Sequence, residues 1–309
     1  MSPPASAPGG SSRQALAAGI GCYLLWGLMP ALFITMGRNG AGPWEILGQR
    51  TMWSAPWALL LVLLAGQWGQ VLSLLRQPRT LGLLALSALL IGANWSLYVW
   101  AVSHNKNLES SLGYYINPLL NMAAGALLFR ERIRGFGVVA MGLALVGVVL
   151  QTIALGHPPY ISLFLGCSFC AYGIIRKQVA ADAQAGLFIE CALMAPLGAI
   201  YVAWLFHSGH GVFGHSVGGS LLMAMAGPAT AVPLALFSWA ARRLPFSTLG
   251  FLQFIGPTMG FCTGLIVGEQ LTVLRAISFV FIWAGALTFA LGAWRASRRL
   301  QAVMVEGPI

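Results

Sequence analysis

The chain has 309 residues, of which 58% are hydrophobic and only 8% charged, with a mean hydropathy of +0.79. Soluble domains carry about 25% charged residues, so this composition excludes an ordinary water-soluble globule. The formal net charge of +10 would point to nucleic acid in a soluble protein. Here the basic residues stand in short loops between apolar runs, a pattern that orients a chain against anionic lipid and excludes nucleic acid as the partner.

Residues 1–13 are rich in Pro, Ser and Gly and are expected to be disordered. The apolar run that follows is too long for a signal-peptide core and lacks a small-residue cleavage site, so it is taken as the first span. A bilayer needs about 20 apolar residues per helix, and no period-two alternation announces a barrel. The fold class read here is therefore all-α integral membrane. About ten transmembrane helices are expected, at 14–36, 44–65, 79–102, 109–129, 135–155, 159–176, 185–206, 217–240, 247–268 and 273–295. With the N-terminus inside, Arg13, Arg76, Arg79, Arg130, Arg132, Arg134, Arg176, Lys177, Arg242, Arg243, Arg295, Arg298 and Arg299 fall on the cytoplasmic face. The other face receives only Arg38, Lys106 and Arg275, so the topology is N-in, C-in.

An internal repeat with a period near 140 residues is visible. Pro56 matches Pro196, Trp100 matches Trp239, Ser110–Pro118 (SSLGYYINP) matches Ser247–Pro257 (STLGFLQFIGP), and Glu131 matches Glu269. The first copy occupies 14–155 and the second 158–296, followed by a cytoplasmic tail at 297–309. Five spans per copy is an odd number, so the second copy enters the membrane from the opposite side. Inverted repeats of this kind belong to secondary transporters, whose site lies near the midplane between the copies.

The polar residues inside the spans are the candidates for that site. Arg50 and Glu190 each lie six residues before a matching proline, Pro56 and Pro196. A charge inside the bilayer is costly and marks a pathway or a pair, unless it snorkels to the interface. Glu190 is read as a titratable coupling group or a substrate contact, paired with Arg50. Glu109 opens the fourth span, either as a carboxylate complementing the helix N-terminus or as part of an outer gate with His104 and Lys106. Glu131, flanked by Arg130, Arg132 and Arg134, reads as part of an interfacial salt network. For substrate binding the aromatic and amide set is preferred: Asn94, Trp95, Tyr98, Tyr115, Asn117, Tyr172 and Gln253. Such walls suit a neutral or amphipathic small molecule, or a cation held on π faces. Pro118 and Pro257 interrupt their helices at matching places, which makes them candidate kinks or gates.

The five cysteines all lie in apolar runs, where packing explains Cys167-x-x-Cys170 better than redox or metal chemistry. His207, His210 and His215 sit in a Gly-rich loop and read as solvated. No catalytic motif is present, and no metal or cofactor is implied. Ala140-x-x-x-Ala144 and Ala286-x-x-x-Ala290 suit helix packing or a homodimer through the fifth and tenth spans. The alternatives to a transporter are an intramembrane lipid-modifying enzyme, which would need acid, base or metal groups clustered at one depth, and a non-transporting membrane scaffold.

The stretches NWSLYVWAV, LESSLGYYINPLLN with RER, SFCAYGIIRK, DAQAGLFIE and STLGFLQFIGPT followed by GE resemble the drug/metabolite transporter superfamily, EamA type, and within it the RarD-like permeases. The WG of the first span and the GQR of the second extend the likeness over nearly the whole membrane part. The resemblance implies ten helices in two inverted five-helix EamA repeats in the bacterial inner membrane. It also implies a central cavity lined by spans 1, 3, 4, 6, 8 and 9. RarD-like members carry the label of chloramphenicol-sensitivity permeases, which leaves the physiological substrate open. The function expected is secondary transport of a small metabolite or drug.

Overall fold

The computed structural model describes residues 10–104, 106–133, 135–256, 258–259, 262 and 272–306. Among the described residues the fold is purely helical: α1 (Gly10–Arg38), α2 (Pro43–Leu64), α3 (Trp68–Leu75), α4 (Pro78–Ser103), α5 (Asn107–Leu127), α6 (Phe136–Leu155), α7 (Tyr160–Gln178), α8 (Ala183–Ser208), α9 (Val217–Ala224), α10 (Ala226–Ala241), α11 (Phe246–Leu252) and α12 (Val273–Glu306). The helix ends follow local chemistry. Pro43 opens α2 where its missing N–H costs nothing, and Gly156 and Gly209 close α6 and α8 in the left-handed conformation. Helix α1 begins at Gly10, so four of the thirteen residues expected to be disordered are helical. Pro257, Glu269 and the C-terminal part of the expected ninth span lie outside the described residues, and in its described part helix α11 already ends at Leu252.

Two elements depart from the expected ten. Helix α3 turns 117° away from α2 through Gly66, whose φ is +65°. It buries Val71 and Leu74 and exposes Trp68, Leu72 and Leu75, as a short amphipathic helix does. The expected eighth span is divided at Met225, because Pro228 has no N–H to donate to the carbonyl of Ala224. By length and composition, Arg13–Arg38, Pro78–Ala101, Phe136–Ile153, Ala183–Ser208 and Val217–Ala241 can cross a membrane, and α2 with α3 adds a sixth span if the bent pair counts as one. Leu89, Leu127, Leu197 and Ile200 are each more than two-thirds exposed. Apolar side chains in that number are at home against lipid and not against water.

The helices pack as the pairs α2–α8, α6–α12, α5–α11, α5–α7, α1–α10, α4–α7, α2–α10 and α4–α8, with lighter contact between α1 and α11. Helices α2 and α8 cross backbone to backbone: a Cβ on Gly198 would stand 2.6 Å from the Gly48 carbonyl and 2.9 Å from the Met52 nitrogen. Small residues permit such approach in a membrane, where dispersion replaces the hydrophobic drive. Ala140 and Ala144 of α6 are fully buried, and Gly285 of α12 lies close against them within the same chain. Ala140 and Ala144 thus serve helix packing within the chain, one of the two uses expected of them, while Ala286 is half-buried and Ala290 exposed.

Candidate functional site

A cavity of about 160 Å3 lies among α1, α2, α4, α5, α7 and the turn that follows α11. That volume compares with cavities that accept a benzene-sized molecule. Helical spacing builds its walls. Tyr23, Trp26, Pro30 and Phe33 form one face of α1, Asn94, Trp95 and Tyr98 come from α4, and Ser110, Gly113, Tyr114 and Asn117 from α5. Leu165, Phe169, Gln253 and Gly256 complete much of the rest, and no residue of α10 lines it.

Five of the seven residues expected to bind substrate meet here: Asn94, Trp95, Tyr98, Asn117 and Gln253. Two do not. Tyr115 faces away and meets Phe279 of α12 edge-on at 5.5 Å; its neighbour Tyr114, 45% exposed, lines the cavity instead and meets Tyr98 at 5.6 Å. Tyr172 is fully buried and stacks on Phe237 at 5.9 Å. Two of the amides are already engaged. Asn94 Nδ2 donates to the Leu165 carbonyl at 2.8 Å and to Ser168 Oγ at 2.9 Å, which ties α4 to α7. Asn121 Nδ2 donates to Gln253 Oε1 at 2.7 Å. Unengaged are Asn117 Oδ1 and the Tyr23 hydroxyl, both buried and without a hydrogen-bond partner among the described residues.

Arg50 is the charged residue of the lining. Its side chain is held by Nε donating to Thr230 Oγ1 at 3.1 Å, by the Trp95 ring 4.2 Å beneath the guanidinium and by the Phe33 ring at 5.2 Å. No carboxylate lies within ion-pair distance of it among the described residues, and no Asp or Glu lines the cavity.

Glu190 is elsewhere, and the expected pair with Arg50 does not form. Its Oε1 is 3.5 Å from Arg176 Nη1 and accepts the hydroxyl of Ser87. Arg176 is fully buried: Nε donates to Ser238 Oγ at 3.0 Å and Nη2 to the Ala183 carbonyl at 2.9 Å. The positive-inside rule puts Arg176 in a loop, but a carboxylate across the α7–α8 turn draws its guanidinium into the protein.

The remaining candidates are not among the residues lining the cavity. Buried Glu109 stands 3.6 Å from Lys106 and 3.8 Å from His157, while His104 stacks on Trp100 at 4.5 Å and takes no part. Pro118 lies inside α5, buried, and a Cβ on Gly250 of α11 would come within 2.7 Å of its carbonyl. Glu131 departs from its expected salt network. Its carboxylate accepts the backbone N–H groups of Phe246 at 2.6 Å and Ser247 at 2.9 Å, capping α11. Glu45, which sequence reasoning passed over, is buried and accepts the amides of Val212 at 2.8 Å and Phe213 at 3.1 Å. Its signal was an acidic residue two places after Pro43, at the start of an apolar helix. Among the described residues no three His, Cys, Asp or Glu side chains are grouped to hold a metal ion.

Comparison with known proteins gives a consistent likeness. The EamA-like transporter family matches residues 13–153. An uncharacterized transporter of Vibrio cholerae is 39% identical over 295 residues, covering 94% of this chain and 97% of its own. Protein RarD of Escherichia coli is 38% identical, with 93% and 97% covered, and the chloramphenicol-sensitive protein RarD of Pseudomonas aeruginosa is 26% identical, with 83% and 86% covered. A crystal structure 21% identical aligns over 91% of this chain and 98% of that one with a TM-score of 0.67, a likeness of fold. Near-complete alignment with RarD proteins, on a helical fold that encloses an aromatic cavity, places the chain in the EamA-like transporter family as a RarD-like drug/metabolite transporter.

Proposed function

We propose that the protein is a secondary permease that carries a small metabolite or drug across the bacterial inner membrane by alternating access. The observation that carries the reading is the cavity among α1, α2, α4, α5 and α7, which brings together aromatic faces, the amide residues Asn94, Asn117 and Gln253 and an arginine that no described carboxylate pairs with. Packing alone requires none of these, and an unpaired polar group in a membrane interior costs stability unless a ligand meets it.

The topology proposed is ten spans, N-in and C-in, in two inverted five-helix repeats. Helix pairing supports it. Exchanging the halves turns α1–α10 into α7–α4, α2–α10 into α8–α4, and α5–α7 into α11–α1, while α2–α8, α5–α11 and α6–α12 map onto themselves. A binding site between two such halves opens to one side or the other as they rock. Pro118, beside the cavity, and Pro257 at the matching place are the proposed bending points, since each proline removes one helix hydrogen bond. Glu109, with Lys106 and His157, is proposed to close the outer mouth.

Counterflow in proteoliposomes tests this. Labelled aromatic amino acids, other metabolites and chloramphenicol are offered singly to the purified, folded chain. Saturable exchange of one of them is expected; no exchange of any overturns the reading.

A further inference from the structure

We propose that the cavity selects an organic anion: a molecule with one carboxylate, which meets Arg50, and a flat apolar body, which lies between the aromatic walls. The inference rests on the cavity being the transport site. The arginine's surroundings carry it.

A guanidinium has five N–H donors, and those of Arg50 are mostly unspent. Nε reaches Thr230, but neither Nη has a hydrogen-bond partner among the described residues. Among the described residues its charge is met by the π faces of Trp95 and Phe33, with no carboxylate in ion-pair distance. Arg176, the other buried arginine among the described residues, shows what a resident counter-charge looks like: it has Glu190, and it is not part of this cavity's lining. The cavity around Arg50 is therefore positive, with a planar two-pronged donor at its wall, the geometry that carboxylates take bidentately. Tyr98 and Tyr114 line the same space, and phenols can donate to an anion.

The same facts disfavour three other charge classes. A cation on the π faces, the expectation from the aromatic composition, would have to compete with Arg50, which already covers Trp95. A zwitterion could place its carboxylate but would bring an ammonium among described lining residues that include no Asp or Glu. A dianion would leave one charge uncompensated, since among the described residues a single guanidinium lines the space.

Calorimetric titration of the detergent-purified chain with four probes of one shape tests this: 3-phenylpropionate, 3-phenylpropanamide, 3-phenylpropylammonium and phenylalanine. The carboxylate is expected to bind about tenfold or more tighter than each of the others. Arg50→Gln should weaken the carboxylate about 10- to 100-fold and leave the amide unchanged, and Arg50→Lys should restore part of the difference. Amide, ammonium or zwitterion binding as tightly as the carboxylate overturns the inference. So does an Arg50→Gln protein that keeps the preference, or a wild-type chain that binds no carboxylate. The four-probe comparison needs no variant, so it stands even where Arg50→Gln fails to fold. Counterflow separates the two claims. Exchange of neutral or cationic solutes alone keeps the permease and sinks the anion. Arg50-dependent carboxylate binding without exchange of any solute keeps the anion site and sinks the permease.

Discussion

Positions 50 on α2 and 190 on α8 hold matching places in the sequence, yet the molecule treats their charges in opposite ways. Glu190 is enclosed by Arg176, Ser87 and the fully buried wall around them, so its charge is answered inside the protein. Arg50 faces a cavity, and its charge is answered only by rings and one hydroxyl. Helix α10 serves both, giving Thr230 to one arginine Nε and Ser238 to the other at nearly equal lengths, 3.1 and 3.0 Å. The difference teaches that a charge in a membrane interior is either a clamp or a socket. The presence of a resident carboxylate tells which.

The largest expected effect breaks the closed side. Arg176→Met or Glu190→Leu alone leaves its partner buried and unpaired, and each should lower stability by about 3–5 kcal/mol. The double variant should regain most of that, as read from thermal unfolding of the purified chain. Next, Ser238→Ala withdraws a hydroxyl acceptor from a fully buried guanidinium, which should cost about 1.5–3 kcal/mol by the same measurement. Thr230→Val makes the matched change on the open side. There cavity water can replace the lost acceptor, so about 0.5–1.5 kcal/mol is expected. Smallest is the stability change of Arg50→Gln, within about 1 kcal/mol, because no carboxylate is stranded. An Arg50→Gln protein as unstable as Arg176→Met would erase the distinction between the two sites.

How far the sequence reached depends on the scale of the feature. Helix α12 runs on to Glu306, past the expected end at 295, whereas the first seven spans were legible to within a few residues, because bilayer thickness sets their length. The eight-residue α3 was not, since its amphipathic pattern is too short to stand out beside the apolar run of α2. In the site, Asn94, Trp95 and Tyr98 could be placed together from spacing alone. Choosing between Tyr114 and Tyr115 could not be done that way: one residue rotates about 100° around a helix, and only the packing of α12 against Tyr115 decides which tyrosine faces the cavity. The Arg50–Glu190 pair failed because symmetry in sequence was taken for proximity in space. Arg176 was closer, fourteen positions away across a tight turn.

The crossing of α2 and α8 has a consequence for how this chain can drift over generations. At position 198 a side chain would meet Thr51 Oγ1 and, behind it, backbone atoms of Gly48 and Met52 on the opposite helix, which no change of rotamer can move aside. Lipid-facing leucines meet no such backbone and can be exchanged for several alternatives. At position 198 the identity of one residue is tied to the distance between two helices.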